Sequence, residues 1–229
     1  MRRRSTTPYS MGLMHEERFK IAVSAEQSVS AVRTVPAGAS WLFSYAPGAG
    51  SNIDNPFGVY ACQALAALGF TTVRFQFPYM EAGRRGPDPA QTLEAVWHEV
   101  IATLRASSRR IAVGGRSMGR RIASQVVAQG VGVDALCLFS YPLHPPRTPT
   151  QRRDSHLPSV AASTLFCSGT RDGFATPEEL RETAALVPRS DVRLLDGADH
   201  GFRVLKSSGR TRENVWAISW TGSAGSRAR

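Results

Sequence analysis

Cysteine, lysine and long hydrophobic runs are scarce in this sequence. The three cysteines, Cys62, Cys137 and Cys167, show neither a disulfide framework nor the spacing of a metal site, and each lies in an apolar segment. We therefore predict buried free thiols and no metal centre. No segment reaches the roughly 18 uninterrupted apolar residues that a membrane-spanning helix needs. Residues 2–4 are arginines, but polar residues follow them, so we expect no signal peptide and a cytoplasmic location.

Arginine supplies nearly all of the positive charge, because only Lys20 and Lys206 are lysines among 28 basic residues. The formal net charge is +10, and a basic surface can attract nucleic acid or anionic membranes. The arginines are spread along the chain, however, and form no basic helix stripe, RNA-binding aromatic signature or zinc-finger spacing. We therefore expect neither nucleic acid nor a membrane as a partner.

The composition is that of a globular domain, with 42% hydrophobic and 20% charged residues. A chain of 229 residues can form one sizeable core but is too short for two ordinary domains. We predict a single domain over residues 15–221, a disordered tail over 1–14 and a loose C-terminal tail over 222–229.

Predicted strands and helices alternate along this domain. Residues 18–23 and 28–35 have a strand-like alternation and predict a hairpin. Further strands are predicted at 41–45, 71–77, 110–114, 133–141, 164–168 and 191–195, and helices at 57–68, 89–106, 118–129, 177–186 and 210–220. This alternation predicts a three-layer α/β/α sandwich around a mostly parallel central sheet. Residues 142–159, with five prolines, predict a long loop beside a binding site.

The most informative motif is Gly-Arg-Ser-Met-Gly at residues 115–119, which fits Gly-x-Ser-x-Gly. The pattern is weak alone, but here it follows a predicted strand and opens a predicted helix, which is the setting of a nucleophile elbow. The glycines keep the tight turn free of side chains, and the helix N-terminus favours a nearby oxyanion. The motif predicts Ser117 as a nucleophile, and the alternative is an ordinary glycine-rich turn.

A nucleophilic serine needs a base, and His200 is the best placed of the five histidines. It directly follows the last predicted strand, and the glycines around it allow a sharp loop. The others lie near the N-terminus, within a helix or on the proline-rich loop: His15, His98, His144 and His156. We predict that His200 takes the proton of Ser117.

The imidazole in turn needs an orienting carboxylate, and Asp172 lies between a predicted strand and a predicted helix. The chain order Ser117, Asp172, His200 is the order used by enzymes with this elbow. The rival carboxylates lie beside the histidine or on the long loop: Asp196, Asp199 and Asp154. The alternative is that Asp172 is a simple turn residue without a catalytic role.

Two backbone N–H groups should form an oxyanion hole for the predicted nucleophile. One is that of Met118, directly after the serine, and the other comes from the Pro-Gly-Ala-Gly loop at residues 47–50. Ala49 is the predicted second donor, since Pro47 has no N–H group.

Five segments, in this order, resemble the small lid-less α/β hydrolases related to dienelactone hydrolase. Within that group they are most similar to the branch that includes the hydrolase-like subunit 3 of the animal non-specific-lethal complex. The segments are FQFPYME at 75–81, GGRSMG at 114–119, YPLHPP at 141–146, GTRD at 169–172 and ADHGF at 198–202. The resemblance implies the α/β-hydrolase fold without a lid domain, the triad described above and no cofactor.

The sequence departs from the pattern of this group at three places. Pro47 stands where histidine is frequent, and Gln76 stands where asparagine is usual. Arg120 and Arg121 replace small residues, so we expect looser packing of the first helical turn after the elbow.

Two further residues are candidates for substrate binding. Arg116 matches the group, and it either pairs with a nearby carboxylate or binds an anionic substrate group through its planar guanidinium. His144 lies on the proline-rich loop and is expected to line the substrate pocket.

The predicted activity is hydrolysis of a small ester or thioester through an acyl-enzyme intermediate, with a small-molecule substrate as the partner. The alternative is a non-catalytic protein-interaction module on the same fold, because the branch it resembles contains a subunit of a complex. The intact set of serine, aspartate and histidine favours the enzyme, since a scaffold has no need of it.

Overall fold

The computed structural model describes residues 15–218, and the tails predicted at 1–14 and 222–229 lie outside the described residues, as do residues 219–221. In the described part, eight strands form one sheet in the order β1-β2-β4-β3-β5-β6-β7-β8. The strands are β1 Glu16–Ala22, β2 Ser28–Thr34, β3 Trp41–Ala46, β4 Phe70–Phe75, β5 Arg110–Arg116, β6 Ala135–Phe139, β7 Ser163–Gly169 and β8 Ser190–Leu195. The helices are α1 Pro56–Ala67, α2 Pro78–Glu81, α3 Ala90–Arg105, α4 Met118–Ala128, α5 Pro177–Ala185 and α6 Arg212–Ile218.

The sheet is parallel except at one edge. β1 and β2 form the predicted hairpin, and β2 also pairs antiparallel with β4. All neighbours from β4 to β8 run parallel. The helix-connected parallel sheet confirms the predicted fold class. One feature of the order was not predicted: β4 lies between β2 and β3.

Local sequence signals explain where two of the helices begin. Asn55 precedes α1, and its side-chain oxygen accepts the N–H of Gly58 at 3.4 Å. Thr176 and Glu179 form a capping box at the start of α5, because each side chain accepts the backbone N–H of the other residue. Both helices have proline in the first turn, where its missing N–H costs no hydrogen bond.

Two hydrophobic cores lie on opposite faces of the sheet. The larger core contains the apolar faces of α3, α4 and α5. The smaller core contains residues of α1 and α6, and Phe57 contacts the rings of Phe139, Phe202 and Trp216 there, with centroids 5.2, 4.9 and 5.6 Å apart. The sheet is therefore covered on both faces, which gives the three layers.

The carboxyl ends of the parallel strands meet along one edge of the sheet. The connections after β5, β7 and β8 carry the predicted serine, aspartate and histidine, respectively. The proline-rich segment between β6 and β7 is irregular apart from a short 3₁₀ turn at Leu157–Ser159. No lid domain is inserted in residues 15–218.

Candidate active site

Ser117 lies on a strained turn between β5 and α4, with φ 51° and ψ −117°. Non-glycine residues rarely adopt such angles, and here the turn lifts the serine out of the strand. A Cβ at position 115 would lie 2.1 Å from the Ala46 carbonyl oxygen, and one at position 119 would lie 2.4 Å from that of Pro47. The two glycines of the motif are therefore required by the close approach of β3 and its following loop.

The His200 ring meets the serine side chain across the ends of the strands. Its Nε2 lies 3.0 Å from Ser117 Oγ, although the two residues are 83 positions apart in the chain. The ring of Phe174 packs beside the imidazole, with centroids 4.1 Å apart. This places a base within hydrogen-bond reach of the serine hydroxyl.

Asp172 holds the other side of the imidazole. Nδ1 of His200 lies 2.9 Å from each carboxylate oxygen of Asp172. The carboxylate also accepts the hydroxyl of Ser168 at 2.8 Å and the backbone N–H of Phe174 at 2.9 Å. These donors orient a carboxylate whose side chain is fully buried.

The charge of this carboxylate fixes the tautomer of the histidine. Burial would raise the pKa of Asp172, but the hydrogen bond and charge of His200, with two further donors, outweigh it and hold that pKa below its ordinary value. An ionised Asp172 can only accept, so Nδ1 carries the proton and Nε2 is left to accept the hydroxyl of Ser117. The arrangement is that of a serine paired with a general base.

The rival carboxylates are occupied by other partners. Asp199 accepts the backbone N–H groups of Gly201 and Arg203, at 2.8 and 2.9 Å. The remaining two pair with arginines, in the pairs Asp196–Arg210 and Asp154–Arg152. Among the carboxylates considered from the sequence, Asp172 is therefore the one that hydrogen-bonds to the imidazole, and its catalytic role stays a prediction.

A second serine–histidine pair was not anticipated from the sequence. Ser124 Oγ, within α4, lies 2.7 Å from Nε2 of His156. The same hydroxyl donates to the carbonyl of Arg121 at 2.7 Å, so the ring nitrogen is the donor of the pair. Burial lowers the pKa of His156 to about 4, and no carboxylate in the described part of the chain hydrogen-bonds to it. The hydrogen bond therefore runs from the histidine to the serine, opposite to the direction between a nucleophile and its base. The contact instead joins the long loop to α4.

The backbone around the serine offers the two predicted oxyanion donors. Met118 is the first residue of α4, and neither its N–H nor that of Ala49 hydrogen-bonds to another group in residues 15–218. A Cβ at position 48 would lie 3.3 Å from the Cβ of Ser117, so the 47–50 loop lies against the nucleophile. Free N–H groups at a helix start and in a neighbouring loop can both face an oxygen on the reacting carbon.

Two side chains hold this loop and the residues that follow it in place. The N–H of Gly50 donates to the Tyr79 hydroxyl at 3.0 Å, and Tyr79 is fully buried. The N–H of Ile53 donates to the side-chain oxygen of Gln76 at 3.3 Å, and the Gln76 amide donates to Glu81 at 3.0 Å. The glutamine that replaces the usual asparagine therefore holds Ile53, three residues beyond this loop.

The two candidates for substrate binding differ in their surroundings. Nε of Arg116 is buried without a hydrogen-bond partner, and no carboxylate in the described part of the chain forms an ion pair with it. His144 is buried, with Nε2 3.2 Å from a Glu179 carboxylate oxygen and Nδ1 2.9 Å from the Pro145 carbonyl. Its ring thus tethers the long loop to α5, and contact with substrate stays a prediction for both residues.

The first turn of α4 is packed more tightly than expected. Arg120 is fully buried, and its guanidinium carbon lies 5.2 Å from the centroid of the Tyr141 ring. Trp97 donates to the Gly119 carbonyl at 3.0 Å in the same turn. The prediction of loose packing at Arg120 was wrong, because its long side chain is enclosed by the core instead of lying at the surface.

Residues 15–218 contain no candidate metal site and no membrane-spanning helix. No group of three or more histidine, cysteine, aspartate or glutamate side chains is arranged to hold a metal ion. None of the helices there has the length and apolar character needed to cross a bilayer. Burial raises the pKa of Cys62, Cys137 and Cys167 to about 12, which makes these thiols unreactive.

Comparison with known proteins identifies the fold and the family of this chain. A family described as alpha/beta hydrolase domain matches residues 39–225. The structure is similar to dienelactone hydrolase from Anabaena variabilis, with 18% identity, a TM-score of 0.70 and coverage of 90% of this chain and 94% of that one. It is also similar to an alpha-beta serine hydrolase homologue from Coxiella burnetii, with 20% identity, a TM-score of 0.69 and coverage of 88% and 96%.

A third similar structure is a serine hydrolase without a lid from Xanthomonas campestris. It is 16% identical, with a TM-score of 0.65 and coverage of 90% of this chain and 94% of that one. At these identities the structural likeness shows the fold, and the family match over most of the chain identifies the group. This chain belongs to the alpha/beta hydrolase domain family.

Proposed function

We propose that this protein is a serine hydrolase that cleaves a small ester or thioester, with Ser117, His200 and Asp172 as its catalytic triad. The observation that carries the proposal is the unbroken hydrogen-bonded chain from Ser117 Oγ through the imidazole to a buried carboxylate, at 3.0 and 2.9 Å. These three groups come from three separate connections of the sheet, so their meeting is not a property of one local turn.

Each step of the reaction has a group in place. Nε2 of His200 takes the hydroxyl proton while Ser117 Oγ attacks the substrate carbonyl carbon. The N–H groups of Met118 and Ala49 hold the resulting oxyanion, and Asp172 stabilises the imidazolium. The imidazolium then gives its proton to the leaving alcohol or thiol, and the acyl group stays on Ser117.

Water completes the cycle by the same route. His200 takes a proton from a water molecule, which attacks the acyl carbonyl and forms a second oxyanion in the same hole. Ser117 leaves as its hydroxyl when the imidazolium returns the proton. Every proposed step uses groups of this chain and water alone, and the edge of the sheet without a lid suits a small or accessible substrate.

An activity-based probe tests this proposal directly. A fluorophosphonate should label the wild-type protein, because it reacts with a serine that a neighbouring base has activated. Labelling should be lost in Ser117→Ala and kept in Ser124→Ala, which removes the serine of the other serine–histidine pair. Hydrolysis of p-nitrophenyl acetate by the same three proteins should follow the same order.

The opposite results are equally informative. If the wild type is not labelled and does not hydrolyse esters, the proposal is refuted, and the fold would then serve as an interaction module. Labelling that persists in Ser117→Ala but disappears in Ser124→Ala would identify Ser124, in α4, as the nucleophile.

A further inference from the structure

One phenylalanine beside the proposed triad lies outside both hydrophobic cores. Phe174, in the connection between β7 and α5, is half-buried and belongs to neither cluster of packed apolar side chains. Its ring contact within residues 15–218 is with the imidazole of His200, with centroids 4.1 Å apart and planes inclined by 32°. A half-buried ring outside the cores gains less from burial than a core residue does, so core packing does not explain a phenylalanine here.

The backbone of Phe174 is held on both sides, which fixes where its ring can lie. Its N–H donates to Oδ1 of Asp172 at 2.9 Å, and its carbonyl accepts the N–H of His144, on the long loop, at 3.2 Å. The capping box of α5 begins two residues later, at Thr176. The ring is therefore attached to a rigid segment and forms a fixed wall along one face of the His200 imidazole.

The imidazole of His200 thus has one edge and one face in contact with fixed groups. The Asp172 carboxylate holds the Nδ1 edge, with each oxygen 2.9 Å from the nitrogen. A hydrogen bond at one nitrogen leaves the ring free to tilt about that contact, and the neighbouring ring of Phe174 limits the tilt. Nε2 therefore stays directed at Ser117 Oγ, 3.0 Å away.

The same contact favours the charged form of the imidazole. In the proposed reaction His200 becomes positively charged when it takes the serine proton. The face of an aromatic ring attracts a cation that lies within about 6 Å of the ring centroid. The separation of 4.1 Å lies inside this range. Because the His200 side chain is only 20% exposed, water screens the attraction weakly.

We propose that Phe174 is a positioning residue, whose ring face holds the His200 imidazole toward Ser117 and stabilises the imidazolium that forms during the reaction. The inference rests on the proposed function of Ser117, His200 and Asp172. The attraction develops together with the positive charge, so it lowers the barrier without strengthening the binding of substrate. Phe174 therefore acts through the base of the triad.

Two substitutions separate the aromatic face from the apolar bulk of this side chain. Phe174→Leu keeps an apolar side chain and removes the aromatic face, and kcat for p-nitrophenyl acetate should fall about fivefold while KM changes by less than about twofold. Phe174→Tyr keeps the face and should retain kcat within about twofold of the wild type. In the His200→Ala background, Phe174→Leu should change kcat by less than about twofold, because the imidazole on which the ring acts is absent.

Phe70→Leu is the matched control. Phe70 is also half-buried and packs against the ring of Trp41, with centroids 6.0 Å apart. It is the first residue of β4, so it lies at the opposite edge of the sheet from the proposed triad. The kcat of Phe70→Leu should stay within about twofold of the wild type.

Other results would overturn the role of Phe174. Wild-type kcat in Phe174→Leu would do so, as would an equal loss in the His200→Ala background, which would indicate an effect independent of the imidazole. Equal losses in Phe174→Leu and Phe174→Tyr would exclude the aromatic face as the cause. A raised KM at unchanged kcat would make Phe174 a substrate-binding residue, and failure of Phe174→Leu to fold would make it a structural one.

The activity of the wild type distinguishes this inference from the proposed function. An inactive wild-type protein would refute the proposed function and the role of Phe174 together. An active wild type with any of the contrary results in the variants would overturn the role of Phe174 alone.

Discussion

Removal of one phenolic hydroxyl, in Tyr79→Phe, is expected to weaken catalysis while leaving the fold intact. Tyr79 is fully buried, and its hydroxyl accepts the N–H of Gly50, the residue after the proposed oxyanion donor Ala49. The ring packs parallel to that of Phe77, 6.5 Å away, and phenylalanine preserves this packing. The variant therefore loses a single hydrogen bond to the loop at residues 47–50.

The expected fall in kcat follows from the strength of the hydrogen bond between Gly50 and Tyr79. A neutral hydrogen bond contributes about 1 kcal/mol, and if the loop position matters mainly in the transition state, kcat falls roughly fivefold. KM should change little, because the oxyanion forms only after substrate has bound. Initial rates with p-nitrophenyl acetate over a range of concentrations separate kcat from KM.

Tyr60→Phe is the matched control for this variant. Tyr60 lies on α1 and packs against Trp216 with centroids 5.2 Å apart, in the smaller core. The Tyr60→Phe variant should keep the wild-type kcat and KM. A Tyr79→Phe variant with wild-type kcat would refute the argument that this hydroxyl positions the oxyanion loop, and an equal loss in both variants would indicate general destabilisation.

The proposed triad acid, a close backbone approach and a buried ion pair provide three further tests. Asp172→Asn should lower kcat about 10⁴-fold with an unchanged circular dichroism spectrum, and a loss below about tenfold would contradict its role. In Gly169→Ala the new Cβ would lie 2.0 Å from the Ala198 carbonyl oxygen, so urea unfolding should show a loss of about 2–3 kcal/mol, and wild-type stability would contradict this geometry. Glu16→Gln should lower the free energy of unfolding by about 1–2 kcal/mol at pH 7, because the Glu16 carboxylate accepts two hydrogen bonds from the buried Arg74, at 2.7 and 2.8 Å. Arg74 lowers the pKa of Glu16 in the folded protein. The stability difference between wild type and Glu16→Gln is therefore present above the pKa that Glu16 has in the unfolded chain, and it disappears as the pH falls through the pKa that Glu16 has in the folded protein. A stability difference that persists in acid would contradict this argument.

Much of this architecture could be predicted because its signals are local. A few consecutive residues determine each apolar run of the parallel strands. The same is true of the helix caps of α1 and α5. The parallel pairing then brings the ends of β5, β7 and β8 to one edge, so Ser117, Asp172 and His200 could be predicted to meet there.

The features that escaped prediction depend on contacts between distant segments. The four-residue helix α2 is too short to show a helical period, and its position follows from Pro78 and the hydrogen bond between Tyr79 N–H and Asp88. The place of β4 in the sheet depends on its pairing with the hairpin. The burial of Arg120 opposes the general tendency of arginine, and nothing in its neighbours along the chain indicates the enclosing ring of Tyr141.

The wide separation of Ser117 and His200 along the chain has a consequence for biosynthesis. On the ribosome the proposed nucleophile emerges 83 residues before its proposed base, and β8 must join the outer edge of the sheet before the two can meet. A nascent or prematurely terminated chain therefore carries an ordinary serine at this position, without the base that would activate it. Under the proposed mechanism the serine becomes reactive toward acyl compounds only when synthesis has passed the last strand, so incomplete copies are not acylated at Ser117.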